Sequence, residues 1–208
     1  MSVNIHHFTR DFARYFPGME MPPWTFLQSV QEHIVESIAR LDDGFTIRDN
    51  VAVHRSAIIE EGVILKGPLI ISANTFVGAH AYLRGGVFLG EYVQIGPGCE
   101  VKSSLVLDRS ALAHFNFAGD SIIGADVNME AGSVLANFHN DRDDKNIDVY
   151  VGGEIIRTGV IKFGSVVGDG CRIGANSVCS PGTILEPGTR IGRLVLVNQV
   201  PEANNDSV

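Results

Sequence analysis

Clustered basic charge is missing from this chain. Sixteen lysines and arginines stand against 24 aspartates and glutamates, for a net charge of -8. A surface that binds nucleic acid or an anionic membrane needs grouped cations to neutralise phosphates, so neither partner is expected. Cysteine is scarce as well: Cys99, Cys171 and Cys179 form no CxxC pair and no short-spaced framework. Free thiols in a reducing compartment follow, and the reading is cytoplasmic. The residues from Asn4 to Arg14 are charged and polar, with no apolar signal core, and no run is long enough to span a bilayer. Aromatic residues make up only 8% of the chain.

Glycine is what the chain has in excess. Its 23 glycines are scattered, without a collagen triplet, and suggest regular turns in an all-β repeat. Counting by six from Val53 gives Ile59, Leu65, Ile71, Val77, Leu83, Leu89, Ile95, Val101 and Leu107, an unbroken aliphatic series. The same count fits Ile161, Val167, Ile173, Cys179, Leu185, Ile191 and Val197, with a middle block of Phe117, Ile123, Met129 and Leu135. The phase slips by two residues after Leu107. Modest side chains such as Thr75, Ala81, Val87, Val127 and Ser177 recur four residues beyond each aliphatic one, and both positions are read as inward. Glycine often follows the aliphatic residue, as at Gly78, Gly90, Gly96 and Gly174, which suits a tight corner.

No helix has a period of six, and a plain strand would alternate every two residues without glycine corners. Three six-residue sides close one coil of 18, and the fold is read as an all-β, single-stranded parallel β-helix. Coils then stack at about the ~4.8 Å strand spacing, so residues 18 apart lie above one another.

Residues 1–45 form an N-terminal extension with one helix over about 22–41, where Leu27, Val30, Ile34, Ile38 and Leu41 make one apolar stripe that caps the first coil. The β-helix occupies 46–198, and 199–208 is a polar tail. An inserted loop at about 139–160 carries Asp141, Arg142, Asp143, Asp144 and Lys145, then a small hairpin. Long loops on solenoids usually carry function, although a merely solvated insertion is the plainer alternative.

Arg84 and Lys102 are 18 residues apart and therefore stack on successive coils. Either an anion such as phosphate bridges them, or acids such as Glu100 neutralise them. His114 lies where the phase slips, at an irregular corner able to expose a side chain. An imidazole titrates near neutral pH and can take a proton from an attacking amine or hydroxyl; a structural histidine is the alternative.

The stretches LeuArgGlyGlyValPheLeuGlyGluTyrValGlnIleGlyProGlyCysGluValLys, AlaHisPheAsnPheAlaGlyAsp and AspValAsnMetGluAlaGlySerValLeuAlaAsnPhe resemble the acetyltransferase domain of bifunctional N-acetylglucosamine-1-phosphate uridyltransferases, over roughly residues 77–192. The resemblance implies a left-handed coil, against the usual crossover rule. It also implies a homotrimer with the acyl site between subunits, acetyl-CoA as donor, and a sugar phosphate or nucleotide sugar as acceptor. Arg84 and Lys102 fall on its phosphate-binding cations, Glu100 on the neighbouring acid and His114 on its catalytic base. Asn128 and Asn137 fall on sugar-site asparagines, and Lys145 on a loop lysine. Ala175 and Arg193 fall on the coenzyme side. Phe117 and Phe138 stand where that family usually has tyrosines, which removes two hydroxyls worth about 0.5–1.5 kcal/mol each and points to a different acceptor. Only about 50 residues precede Val53, so no nucleotidyltransferase domain is expected.

Two other functions fit the repeat. A γ-class carbonic anhydrase uses this fold with three zinc-binding histidines, two of them five residues apart; no HisxxxxHis occurs here, so no metal is expected, leaving His80 and His114 as a stray pair. The other is a non-catalytic sugar-nucleotide-binding or scaffold protein, which the two phenylalanines favour.

Overall fold

A computed structural model describes residues 3–200 as a parallel β-solenoid with four short helices at its N-terminal end. The eight final residues of the polar tail lie outside the described residues. Each coil contributes a short strand to each of three side faces. The first face stacks Ala52, Ile70, Phe88, Leu105, Ile122, Val166 and Ile184 with their neighbours. The second is the seven-stranded sheet from Ile58–Ile59 to Arg190–Ile191. The third runs from Ile64–Leu65 through Glu100 and Phe117 to Leu196–Val197. Leu83, Ile95, Val101, Met129, Ile173 and Cys179 all point into the enclosed core and are almost completely buried. The six-residue count therefore reads the inner lining of the coil.

Most corners turn on a residue with positive φ. Between the first two faces these are Asn74, Tyr92, Arg109, Asp126, Gly170 and Gly188; between the second and third they are Gly62, His80, Gly98, Phe115, Gly132, Asn176 and Leu194. The third corner is less regular. There Arg84 pairs with Lys102 but Val87 pairs with Ser104, so Gly85 and Gly86 face the single residue Ser103. Lys102 then pairs with Gly119 and Leu105 with Ile122, one residue short of the 18-residue step.

These pairings correct the expected phase. The inner residue after Val101 is Val106, and Leu107 belongs to the outer apolar layer. Ala118 lines the core, whereas Phe117 faces outward and is half-buried. Two single-residue shortenings at this corner replace the expected slip of two. Adjacent aliphatics at Val106 and Leu107 let a count by six pass the first one unseen. Ile161, placed in the inner series, is 52% exposed, because the chain has not yet rejoined the coil there.

The first face is apolar on its outer side too, which a solvated sheet would not be. The N-terminal extension covers it. Instead of one helix over 22–41 there are four: α1 (Ile5–Phe8), α2 (Phe12–Tyr15), α3 (Pro23–Gln28) and α4 (Val30–Ile38). The expected helix breaks at Ser29, whose hydroxyl bonds the Phe26 carbonyl and the His33 ring and so competes with the helical ladder. The helices lie along the side of the solenoid rather than over its end, with α4 against the strands Leu69–Ile71 and Tyr82–Leu89. Phe12, Phe16, Phe26 and Phe88 pack edge to face with centroids 5.1–5.4 Å apart across the Phe26 and Phe88 pairs. Each buried ring is worth about 1.5–3 kcal/mol. The extension is pinned at its other end by ion pairs, among them Arg14 with the buried Asp108 at 3.0 Å and Arg10 with Asp169 at 3.0 Å. The open edge of the first coil is covered by the antiparallel strand Phe45–Arg48.

The loop leaves the coil after Asn137 and rejoins it at Phe163, whose N–H donates to the Asn137 carbonyl. Its hairpin pairs Asp148–Val151 with Glu154–Arg157. Ile147, Val149, Val160 and Phe163 are buried in the outer apolar layer. The excursion thus continues the cover that the helices begin, and is more than a solvated insertion.

Candidate functional site

The corner with the shortened coils holds most of the polar residues singled out in the sequence. Arg84 and Lys102 sit side by side in register. Each already has an acid: Arg84 Nε donates to Glu100 Oε1 at 2.8 Å, and Lys102 Nζ donates to Asp120 Oδ2 at 2.8 Å and to Ser103 Oγ at 3.3 Å. Asn137 donates its amide to the same Asp120 oxygen. Two cations therefore face two carboxylates, and of the two sequence readings the neutralised one describes this arrangement. Arg84 and Lys102 keep further N–H donors for a ligand, since a guanidinium carries five and an ammonium three.

Asp120 is the residue that sequence reasoning missed. It holds the corner's αL conformation at φ 45° and links Lys102 to Asn137. Its signal was available, because it lies 18 residues after Lys102. Phe117 is half-buried next door, its ring tip filling the space that a side chain at Gly119 would need. Beside this corner α3 and α4 leave a cavity of about 300 Å³, lined by Gln28, Gln31, Ser103, Asp120 and Lys162. Lys162 lies 4.0 Å from the centre of the Phe138 ring, and Lys145 lies 5.4 Å from it. Lys145 also donates to the carbonyls of Asn140 and Arg142, so it folds back on its own loop. His139, on the same loop, is mostly covered, and burial pushes its imidazole below the ordinary histidine value.

His114 is at a different corner, between the second and third faces. One side of the triangle, roughly 15 Å of extended chain, separates it from Asp120. Its side chain is exposed, and its ring has no hydrogen-bond partner among the described residues. Its backbone is fixed by Asn116, a buried amide whose Oδ1 accepts the His114 N–H at 3.1 Å and whose Nδ2 donates to the Glu130 carbonyl and Ser133 Oγ, both at 2.8 Å. Asn116 is thus a positioning residue, legible only once the corner is known. Ala175 and Arg193 lie at this corner as well, on later coils: the Asn176 N–H donates to the Ala131 carbonyl and the Leu194 N–H to the Ala175 carbonyl. Glu130, also missed, joins them. It accepts from the Ala175 N–H at 3.0 Å and from Arg193 at 2.7 and 2.8 Å. Asn128 is on the second face between Ala111 and Arg172, exposed, and in neither group.

Within one chain the polar candidates therefore form two groups at neighbouring corners. Among the described residues no set of three or more His, Cys, Asp or Glu side chains is placed to share a metal ion, and no helix is long and apolar enough to cross a membrane. The three cysteines are free and buried.

No protein-family model matches the chain. It is 32% identical over 164 residues to the bifunctional sugar-1-phosphate nucleotidylyltransferase/acetyltransferase of Sulfurisphaera tokodaii, covering 79% of this chain and 40% of that protein. It is 32% identical over 183 residues to the bifunctional protein GlmU of Methanococcus vannielii, covering 85% and 43%. With GlmU of Methanocaldococcus jannaschii the figures are 31% over 188 residues, 88% and 45%. The chain spans less than half the length of these relatives. Among solved structures it aligns with the acetyltransferase domain of PglB from Neisseria gonorrhoeae, at 13% identity and a TM-score of 0.25, over 83% of this chain and 60% of that one. A mutant perosamine N-acetyltransferase from Caulobacter crescentus, in complex with CoA and GDP-perosamine, aligns at 13% identity and a TM-score of 0.30, over 85% and 73%. Scores this low have no bearing on function.

Proposed function

Because this chain is a hexapeptide-repeat protein related over most of its length to bifunctional sugar-1-phosphate nucleotidylyltransferase/acetyltransferases, we propose that it is an acetyl-CoA-dependent acyltransferase acting on an amino sugar phosphate or nucleotide sugar. The observation that carries this reading is the placement of polar residues in two groups on one side of the solenoid: a cation–acid cluster at one corner and an exposed, backbone-anchored histidine at the next. The chemistry is direct transfer. The acceptor nitrogen or oxygen attacks the thioester carbonyl, His114 takes the acceptor's proton, and the thiolate of coenzyme A leaves. A backbone N–H near the site stabilises the oxyanion, other than those of Ala113, His114 and Phe115, which donate to Met129, Asn116 and Pro97. Arg84 and Lys102 bind the phosphate with their remaining donors, Glu100 and Asp120 orient them, and Asn137 contacts the sugar; Asn128, on the second face, and Lys145, once it leaves its own loop carbonyls, reach it only in the assembled oligomer. Phe117 and Phe138 give the acceptor pocket two apolar walls, so an acceptor with fewer hydrogen-bonding groups there is preferred.

The two groups are one triangle side apart, and a homotrimer brings corners of neighbouring subunits together. The third face suits such packing. Its outward column is Ile64, Tyr82, Glu100, Phe117, Val134, Val178 and Leu196, with Ile64 and Leu196 exposed at 52% and 67%. Light scattering on the purified chain should give three times the 22.4 kDa protomer mass, and a monomer would leave the site split. A cytoplasmic setting, which keeps thiols reduced, suits the buried free cysteines.

Thiol release from acetyl-CoA, measured against a panel of hexosamine phosphates and nucleotide amino sugars, tests the activity. At least one acceptor should raise the rate well above background hydrolysis. Silence across the panel, with phosphate ligands still bound, would favour the non-catalytic reading that the paired cations also suit.

A further inference from the structure

The corner that carries His114 holds a charge arrangement for which the proposed chemistry has no use. Glu130 lies on the coil after His114, and its carboxylate reaches across to the later coils. One oxygen accepts from Arg193 Nε at 2.7 Å and from the Ala175 N–H at 3.0 Å, and the other accepts from Arg193 Nη2 at 2.8 Å. This is a two-point grip on a planar fork, the geometry in which a carboxylate most resembles a phosphate. Both side chains are open to solvent, Arg193 at 72% and Glu130 at 40%. Exposed ion pairs contribute little to stability, so the grip is easily exchanged for another anion. A large apolar side chain adjoins it: Leu194, next to Arg193, is 79% exposed and holds an αL corner position. An exposed cation beside an exposed apolar group, at the histidine's own corner, fits a ligand that carries both anionic and apolar parts.

We propose that Glu130 is a latch on the acyl-donor side of the site: in the free protein it occupies Arg193 and the Ala175 N–H, and the diphosphate of coenzyme A takes Arg193 from it on binding. The proposal rests on the acyltransferase reading and adds a regulated step to it. A diphosphate offers more negative charge than one carboxylate and accepts from a guanidinium in the same fork geometry, so it wins the exchange. Glu130 is then left unpaired beside the ligand's own charge, which lowers donor affinity and speeds release of the free thiol product. Removing the carboxylate while keeping its shape takes away both the competitor and the repulsion.

The test is calorimetric titration of the full chain with coenzyme A alone, so that no turnover is needed. Glu130→Gln should bind about three- to tenfold tighter than the wild type. Arg193→Gln should bind more weakly, and the double variant should match Arg193→Gln, since the latch acts through Arg193. Both positions are exposed, and unchanged melting curves would show that the variants fold. Equal or weaker binding by Glu130→Gln would overturn the latch, the weaker case making Glu130 a support for Arg193. If wild type binds coenzyme A and Glu130→Gln does not tighten it, the acyltransferase reading survives without the latch. If neither the wild type nor any variant binds, the donor assignment falls and the latch with it.

Discussion

Replacing His114 with alanine should slow acetyl transfer by about 100- to 10,000-fold, the usual contribution of a positioned acid–base group. The change should fall on turnover rather than on binding of acetyl-CoA, because the imidazole is asked only to take a proton as the new bond forms. The substitution should not unfold the chain: the side chain is exposed, and the backbone N–H that Asn116 holds remains. His139 is the informative control. It lies on the excursion close to the cation cluster, and burial holds its ring toward the neutral form, which is also able to accept a proton. Steady-state thiol release for His114→Ala and His139→Ala separates the two. If His139→Ala is the silent variant and His114→Ala keeps its rate, the base sits at the other corner and the assignment of His114 is wrong.

The second large effect is on the fold. Gly96→Ala places a methyl carbon 1.6 Å from the carbonyl oxygen of Ala113 on the next coil, and 2.5 Å from its carbonyl carbon. Both atoms are backbone within the stack and have no rotamer to escape into. The coils must part locally, at a cost of about 3 kcal/mol or more, which corresponds to a melting temperature lower by roughly 6–12 °C. The same corner on the last coil supplies the comparison. A methyl group at Gly192 meets only a side-chain carbon of Val195, at 3.5 Å, because no further coil stacks on it among the described residues. Thermal melts should show Gly96→Ala strongly destabilised and Gly192→Ala close to wild type. Equal effects would mean that the glycines serve the turn itself rather than the closeness of the next coil. Because Ala113 precedes His114, Gly96→Ala should also lower activity beyond its loss of folded protein.

The sequence showed what recurs with the coil. Six-residue spacing identified the inner lining, and the separation of Arg84 from Lys102 gave their adjacency, because stacking turns spacing into distance. What it concealed follows from the same rule. A shortening by one residue is invisible where two neighbours, Val106 and Leu107, are both aliphatic. The outer apolar column of Ile70, Phe88, Leu105 and Ile122 was open to reading as a face in need of cover, but counting only inner positions passed over it. α1 and α2, four residues each, are too short to show a helical stripe; α2 is placed by the packing of Phe12 and Phe16 on Phe26 and Phe88, and α1 by contact with α2 and the strand Ser165–Val167. Asp120 and Glu130 were hard to single out for another reason. A carboxylate is ordinary on a solvated surface, and only the cation it meets on another coil marks it.

The corner beside His114 has one further property. Gly62, Gly98 and Gly132 alternate there with His80, Phe115 and Asn176, and each larger side chain folds over the glycine of the coil before it, leaving no room for a methyl group. The coils are thus matched in pairs, one giving space and the next filling it. Excising a single coil would set two bulky residues or two glycines against each other, whereas excising two would preserve the match. From Gly62 to Asn176 the unit by which such a chain can lengthen or shorten is therefore two coils; past it, Leu194 follows Asn176 directly and the pairing ends.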